Sequence, residues 1–282
     1  MQALSKAVPV TMLVFVVSSM LAVGLSLTIG QIMVPLRNRK LVLLALLANF
    51  VLMPTAALGI ARMLRLEQSL GVSLLLLGAA AGAPFLPKLA TFAKGNLAFA
   101  VGLMVLLMVL TVGYMPLVLP LLLEGVSVDP TKIARSLVIL MLLPLVAGLA
   151  VKARYEAVAA RVAPLLNRVS TLSLALMIVL LLASNIRNIV DLFGTRGVLA
   201  SVLFLVVGFG IGWFLGGPGP GTRGVLALGT AQRNIAAALV VGGQNFSDPK
   251  VIVMVVVVAI VGLLVLMPLA RVAARRSSEQ EV

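Results

Sequence analysis

Gly229-Thr-Ala-Gln-Arg-Asn-Ile-Ala-Ala-Ala-Leu-Val-Val-Gly-Gly-Gln-Asn-Phe246 lies in a run from Gly224 to Ser247 whose one charged residue is Arg233. A run of this length crosses a bilayer as a helix, which takes about 20 apolar residues. An arginine near the centre of a lone membrane helix costs about 2.5–3.5 kcal/mol on insertion scales. It persists there when it faces a cavity, an anion or backbone carbonyls. The stretch therefore sets two expectations: a membrane-spanning helix, and a site inside it.

Working outward, apolar runs of similar length recur along all 282 residues. The chain is 62% hydrophobic and 11% charged, with a mean hydropathy of +1.21. Soluble domains are about 45–50% apolar and about 25% charged. The expected fold class is an all-α polytopic membrane protein, because solid Leu, Val, Ala and Gly runs are not the short alternating strands of a membrane barrel. The first run, from about Ala7 to Ile32, is too long for a signal peptide and reads as a retained first helix. No loop is long enough to hold a soluble domain.

Cysteine and histidine are absent. That excludes disulfides, thiol nucleophiles, Cys/His metal sites and histidine acid–base chemistry. The net charge of +14 sits mostly in short loops. Membrane topology and anionic lipid headgroups account for it, so the bilayer is an expected partner and nucleic acid is not.

Nine apolar segments are expected, at about 8–31, 41–61, 68–86, 97–123, 134–151, 163–186, 197–217, 224–246 and 250–270. Charged or Gly/Pro-rich connections separate them. The densest basic clusters, Arg37-Asn-Arg-Lys40, Lys152-Ala-Arg154 and Arg271 to Arg276, fall on one side of the membrane. The positive-inside rule then puts the N-terminus outside and the C-terminus in the cytoplasm.

Two segments carry helix-breaking signals. In the third, Gly78-Ala-Ala-Ala-Gly-Ala-Pro-Phe-Leu-Pro-Lys-Leu-Ala-Thr91, Pro84 and Pro87 each remove a backbone donor and disfavour helix before them. In the eighth, Gly229 precedes the polar cluster Thr230, Gln232, Arg233 and Asn234. Two interrupted helices in corresponding halves of a transporter point to a binding site. Bland readings stand beside this one. A proline kink and a glycine packing contact would give similar sequence. Lys88 reaches an interface by snorkelling. Asn49 is more often a helix–helix hydrogen bond than a ligand.

Several motifs together resemble the bile acid:sodium symporter family across nearly the whole chain. They are Met20-Leu-Ala-Val-Gly-Leu-Ser-Leu-Thr28, Ala48-Asn-Phe-Val-Leu-Met-Pro54, Gly82-Ala-Pro84 with Phe92-Ala-Lys-Gly-Asn96, and Gln232-Arg-Asn234 with the Ala-rich run after it. The resemblance implies a core domain built from an inverted repeat, with halves at about 8–123 and 134–270. Two broken helices cross in the core, which faces a panel domain. It also implies a single transporter domain over 1–282 that works by alternating access. In sodium-coupled members a Ser-Asn pair follows the first break. Here that neighbourhood reads Phe85-Leu-Pro-Lys88. Further polar ligands are replaced near Ala100 and Met104. The family's glutamate aligns with Gly229, its neighbouring glutamine with Arg233, and the glutamine of the second helix with Asn49.

Sodium is a hard cation that prefers oxygen ligands and a carboxylate. The eight acidic residues, Glu67, Glu124, Asp129, Glu156, Asp191, Asp248, Glu279 and Glu281, all lie outside the apolar centres. Two roles are open for Arg233. Its guanidinium takes the place of a bound sodium ion, with Lys88 doing the same at a first cation site. In a second role, compatible with the first, both cations clamp an anionic substrate, with Asn234, Gln232, Thr230 and Asn49 supplying neutral hydrogen bonds. Either role predicts a small organic anion. No resident cofactor or metal is expected.

Alternatives remain: a sodium-coupled symporter using backbone carbonyls and Asn49, or an efflux protein like the arsenite carriers, whose thiol is absent here. An enzyme would need acidic pairs, Ser-His or metal ligands that the sequence lacks. A channel would need a continuous polar lining. A bacterial inner membrane is the expected location, and assembly with further copies stays open.

Overall fold

A computed structural model describes residues 2–33, 37–123, 128–184 and 196–279. The first helix, α1 (Gln2–Ser26), is followed by a short α2 (Ile29–Met33). Next, α3 (Arg39–Leu47) runs through a π-turn at Ala48–Leu52 into α4 (Met53–Met63). The third expected segment is split into α5 (Gln68–Ala79) and α6 (Leu86–Phe92), and α7 (Leu97–Leu122) follows. In the second half, α8 (Pro130–Leu137) continues through a π-turn at Val138–Leu142 into α9 (Leu143–Arg154). Then come α10 (Glu156–Ser184), α11 (Gly197–Leu215), a second split pair α12 (Pro220–Ala231) and α13 (Ile235–Asn245), and α14 (Pro249–Glu279).

Eight helices among the described residues are long and apolar enough to cross a membrane, some counted through a π-turn or a break. The ninth expected segment is the interrupted α5/α6, whose apolar half α5 spans only 12 residues. The protein is an all-α polytopic integral membrane protein.

Helices overrun the expected segments in several places. The first begins near Gln2 rather than 8, the sixth begins at Glu156 rather than 163, and the ninth reaches Glu279 rather than 270. Hydropathy marks the part of a helix inside lipid, and charge does not end a helix. Lys152 and Arg154 in the last turn of α9, and Arg276 in that of α14, even suit the negative C-terminal dipole end. The expected connection at Lys152–Glu156 shrinks to Tyr155 alone. Glu124, Asp191, Glu281 and most of the Arg187–Arg196 connection lie outside the described residues.

Two packed groups are visible. In one, α1 lies along α10 and α9. Gly24 and Gly148 meet at the crossing, where a Cβ on Gly24 would sit 2.3 Å from Leu145 O and 2.9 Å from Gly148 Cα. In the other, the order helix, broken helix, long helix occurs twice: α3/α4, α5/α6, α7 and α11, α12/α13, α14. Here α11 and its C-cap carry Gly208, Gly212 and Gly216 at four-residue spacing. Cβ atoms on these would meet the backbone of Ala231, Leu226 and Arg223 at 2.9, 2.4 and 2.5 Å. Small residues at this spacing let membrane helices touch backbone to backbone, and they seat α12 against α11.

Candidate functional site

The first break arises where α5 ends at Ala79. Ala80 leaves helical geometry at φ −91°, ψ 83°, and Gly82 has φ +80°. A Cβ at Gly82 would lie 2.2 Å from Met108 N and 2.6 Å from its Cα. Glycine is required there twice over, by the left-handed backbone and by the close approach of α7. Pro84 sits inside the break. Pro87 does not: it occupies the first turn of α6, where a missing N–H costs nothing.

The second break also differs from expectation. Gly229 is helical, within α12, and the chain leaves the helix at Gln232 (ψ 130°) and re-enters after Asn234. The break is therefore Gln232–Asn234, three residues beyond Gly229. The Gly229 position instead admits Leu86 of α6, since a Cβ there would meet Leu86 Cδ2 at 2.9 Å and Leu103 Cδ2 at 3.5 Å.

Each break satisfies the other's backbone. Asn234 N donates to Ala80 O at 2.8 Å, and Asn234 Nδ2 donates to Gly82 O at 3.0 Å. Asn234 Oδ1 accepts from Ala237 N at 3.1 Å and so caps α13. Thr111 of α7 both accepts from Ala81 N and donates to Ala81 O, each at 3.1 Å. Unpaired backbone groups at membrane depth are costly, and these bonds remove them.

The π-turn supplies a third set of carbonyls. Met53 N donates five residues back to Ala48 O, and Pro54 has no N–H. The carbonyls of Asn49 and Phe50 thereby lose their helical donors. The Tyr114 hydroxyl donates to Phe50 O, and the two rings pack with centroids 4.7 Å apart.

Arg233 is 2% exposed and its guanidinium sits where these freed carbonyls converge. Nε donates to Leu77 O at 2.8 Å. Nη1 donates to Asn49 Oδ1 at 2.8 Å and Thr230 O at 3.1 Å. Nη2 donates to Gly78 O at 2.7 Å and Asn49 O at 3.5 Å. Leu77 and Gly78 close α5, and Thr230 closes α12, so the negative ends of two half-helices face one fixed cation. A guanidinium has five N–H donors. All five meet oxygen, and among the described residues no carboxylate pairs with the group. Asn49 Nδ2 donates on to Thr230 Oγ1 at 3.3 Å and to Ala45 O at 3.0 Å, which closes the network.

Four of the six expected polar residues, Arg233, Asn234, Thr230 and Asn49, are thus brought together and fully buried or nearly so. Lys88 is not among them. It is exposed on α6, and its Nζ lies 5.3 Å from the centroid of the Phe85 ring. Gln232 borders the network, and its buried Oε1 has no hydrogen-bond donor among the described residues. Leu86, Ala100, Leu103 and Met104 share one buried apolar cluster. The place that the resemblance assigned to a first cation is therefore apolar, with Leu86 packed against Gly229. Sequence reasoning passed over Thr111, Tyr114 and the π-turn. Pro54 was the available signal, because a proline after an asparagine-bearing helix frees carbonyls four and five residues before it.

The acidic residues described sit at helix ends. Asp129 caps α8, and Glu156 pairs with Lys152 at 2.8 Å. Glu67 pairs with Lys250 at 2.7 Å, and Ser69 donates to Asp248.

The sequence pattern of the sodium bile acid symporter family matches residues 11–192, more than half of the chain. The matched span contains the first broken helix and ends before the second. Among similar proteins, the uncharacterized sodium-dependent transporter YocS of Bacillus subtilis is 27% identical over 202 residues, covering 70% of this chain and 60% of that one. The probable sodium/metabolite cotransporter BASS1, chloroplastic, of Arabidopsis thaliana is 23% identical over 235 residues, covering 82% of this chain and 58% of that one. The chain therefore spans about three fifths of the length of the curated relatives it matches. With the crossed broken helices and the match over residues 11–192, the chain belongs to the sodium bile acid symporter family.

Proposed function

We propose that the chain is a secondary transporter that moves a small organic anion across the membrane by alternating access, without sodium at the crossing of the broken helices. The observation that carries this reading is the seat of Arg233. A cation site made of helix-end carbonyls already holds a covalently tethered cation, and Asn49 and those carbonyls have their lone pairs directed at it. The fixed charge replaces the mobile one, so binding of substrate needs no ion from solution. Chemistry on the substrate forms no part of this reading.

Because the guanidinium has no free donor, the substrate-facing roles fall to the two expected residues outside the network. Lys88 offers an exposed ammonium on α6, and Gln232 Oε1 offers an acceptor to a substrate hydroxyl or N–H. The α6 and α12 half-helices that carry or adjoin them touch at Leu86 and Gly229. In this reading residues 8–123 and 134–270 are inverted repeats. The α1, α8/α9 and α10 group is the panel, and the two sets of helix, broken helix and long helix are the core. The N-terminus is outside and the C-terminus cytoplasmic, in a bacterial inner membrane.

The test is the melting temperature of the purified chain against a panel of small mono- and dicarboxylates, in choline and in sodium. A ligand for the folded state raises it. The reading expects one class of anion to stabilise equally in both salts, and Lys88→Ala to lose that response. Stabilisation that requires sodium would favour the rival reading, consistent with the relatives' names, in which sodium enters despite Arg233.

A further inference from the structure

Trp213, the single tryptophan of the chain, lies near the C-terminal end of α11. Two arginines flank its ring. Arg223 Cζ of α12 is 5.8 Å from the ring and Arg276 Cζ of α14 is 5.7 Å from it. Phe209, one helical turn back, stacks on it at 5.7 Å with an interplanar angle of 21°. Between α11 and α14 runs an open groove of about 190 Å³, lined by Phe209, Gly210, Trp213, Val272 and Arg276. The groove is open at Gly210, where a Cβ would meet nothing within 4 Å.

Groove and surroundings have the polarity of a lipid. Apolar side chains beside it are exposed, with Phe214 at 87% and Val206 at 47%. At its rim the end of α14 carries Arg271, Arg275 and Arg276. Arg223 spends its Nε on Gly217 O at 3.0 Å. Its other donors, and all those of Arg276, have no protein acceptor among the described residues. Arginines with free donors beside an aromatic, at the end of membrane helices, suit phosphate, which a single guanidinium grips through two parallel N–H donors. A soluble anion would have no use for the apolar floor beneath.

We propose that this groove binds one anionic phospholipid. Its phosphate lies on Arg276 at the groove, with Arg223 adding positive charge beside the same Trp213 ring, and one acyl chain lies along Phe209, Gly210 and Val272. A zwitterionic lipid fits less well, because its own cation meets the arginines. Basic residues near a membrane face favour anionic headgroups by about fivefold each in association.

Because Trp213 is the only tryptophan, its fluorescence reports on this groove alone. The full chain is reconstituted in phosphatidylcholine vesicles that contain a small fraction of brominated phosphatidylglycerol or brominated phosphatidylcholine. Quenching by the brominated anionic lipid is expected at an apparent association about fivefold or more above the zwitterionic one. Arg276→Gln and Arg223→Gln are each expected to bring that ratio towards one while the circular dichroism spectrum stays unchanged. Equal quenching by the two lipids in the wild type overturns the proposal. So does a preference that survives both substitutions. Loss of the preference on adding millimolar inorganic phosphate would make this a soluble-anion site and overturn the lipid assignment.

Discussion

At the scale of single residues, the site turns on where each cation's donors go. Arg233 stood out in the sequence because an arginine at mid-membrane needs a reason. Its two suggested roles could not be separated there, since five convergent oxygens from three separate segments leave no local pattern. Asn49 is the partner that links the π-turn to the guanidinium. Asn49→Leu removes Oδ1 and leaves a buried donor unpaired, which costs about 1.5–3 kcal/mol for a charged group. Chemical denaturation of the detergent-solubilised protein should show a loss of that size, and an unchanged midpoint would detach Asn49 from the network. Lys88 behaves oppositely. It is exposed, so Lys88→Ala should shift stability by no more than about 0.5 kcal/mol, while the anion-induced rise in melting temperature disappears. A retained rise would remove Lys88 from the substrate site.

Among the elements, long apolar helices were legible because their hydropathy fills a bilayer thickness, and Pro84 marked the first interruption. The second was placed three residues early. Gly229 looked like the breaker, but it is a packing notch for Leu86, and the polar residues after it carry the non-helical backbone. Nothing in a linear pattern distinguishes those two uses of glycine. Gly82 is the opposite case, with a positive φ and α7 against its Cα. Gly82→Ala combines backbone strain with overpacking and should cost about 1–3 kcal/mol or more. The check is a lowered melting temperature, with Gly30→Ala, which meets nothing within 4 Å, as the control expected to be near neutral. Tyr114→Phe deletes the donor to Phe50 O at the π-turn and should cost about 1 kcal/mol. A more stable variant would mean that the freed carbonyl had no need of it.

Across the whole molecule, the two packed groups and the twice-repeated order of helices around a break are the features on which the proposed alternating-access reading rests. The panel and core assignment came from the family resemblance, not from composition, because every membrane span among the described residues is apolar. Only contacts such as Gly24 against Gly148 separate the groups. The absence of cysteine makes topology directly measurable. A single cysteine at Arg39 should be protected from a membrane-impermeant thiol reagent in intact cells, and one at Gln68 should react. The reverse pattern would invert the orientation. The central claim is that a tethered guanidinium stands where relatives named for sodium would hold an ion. It is tested most directly by the melting temperature of the purified protein at fixed ionic strength as choline is exchanged for sodium, for wild type and Arg233→Gln. The account predicts a flat response for the wild type and a sodium-dependent rise for the variant, whose vacated carbonyls again accept a mobile cation. A wild-type melting temperature that climbs with sodium would contradict it.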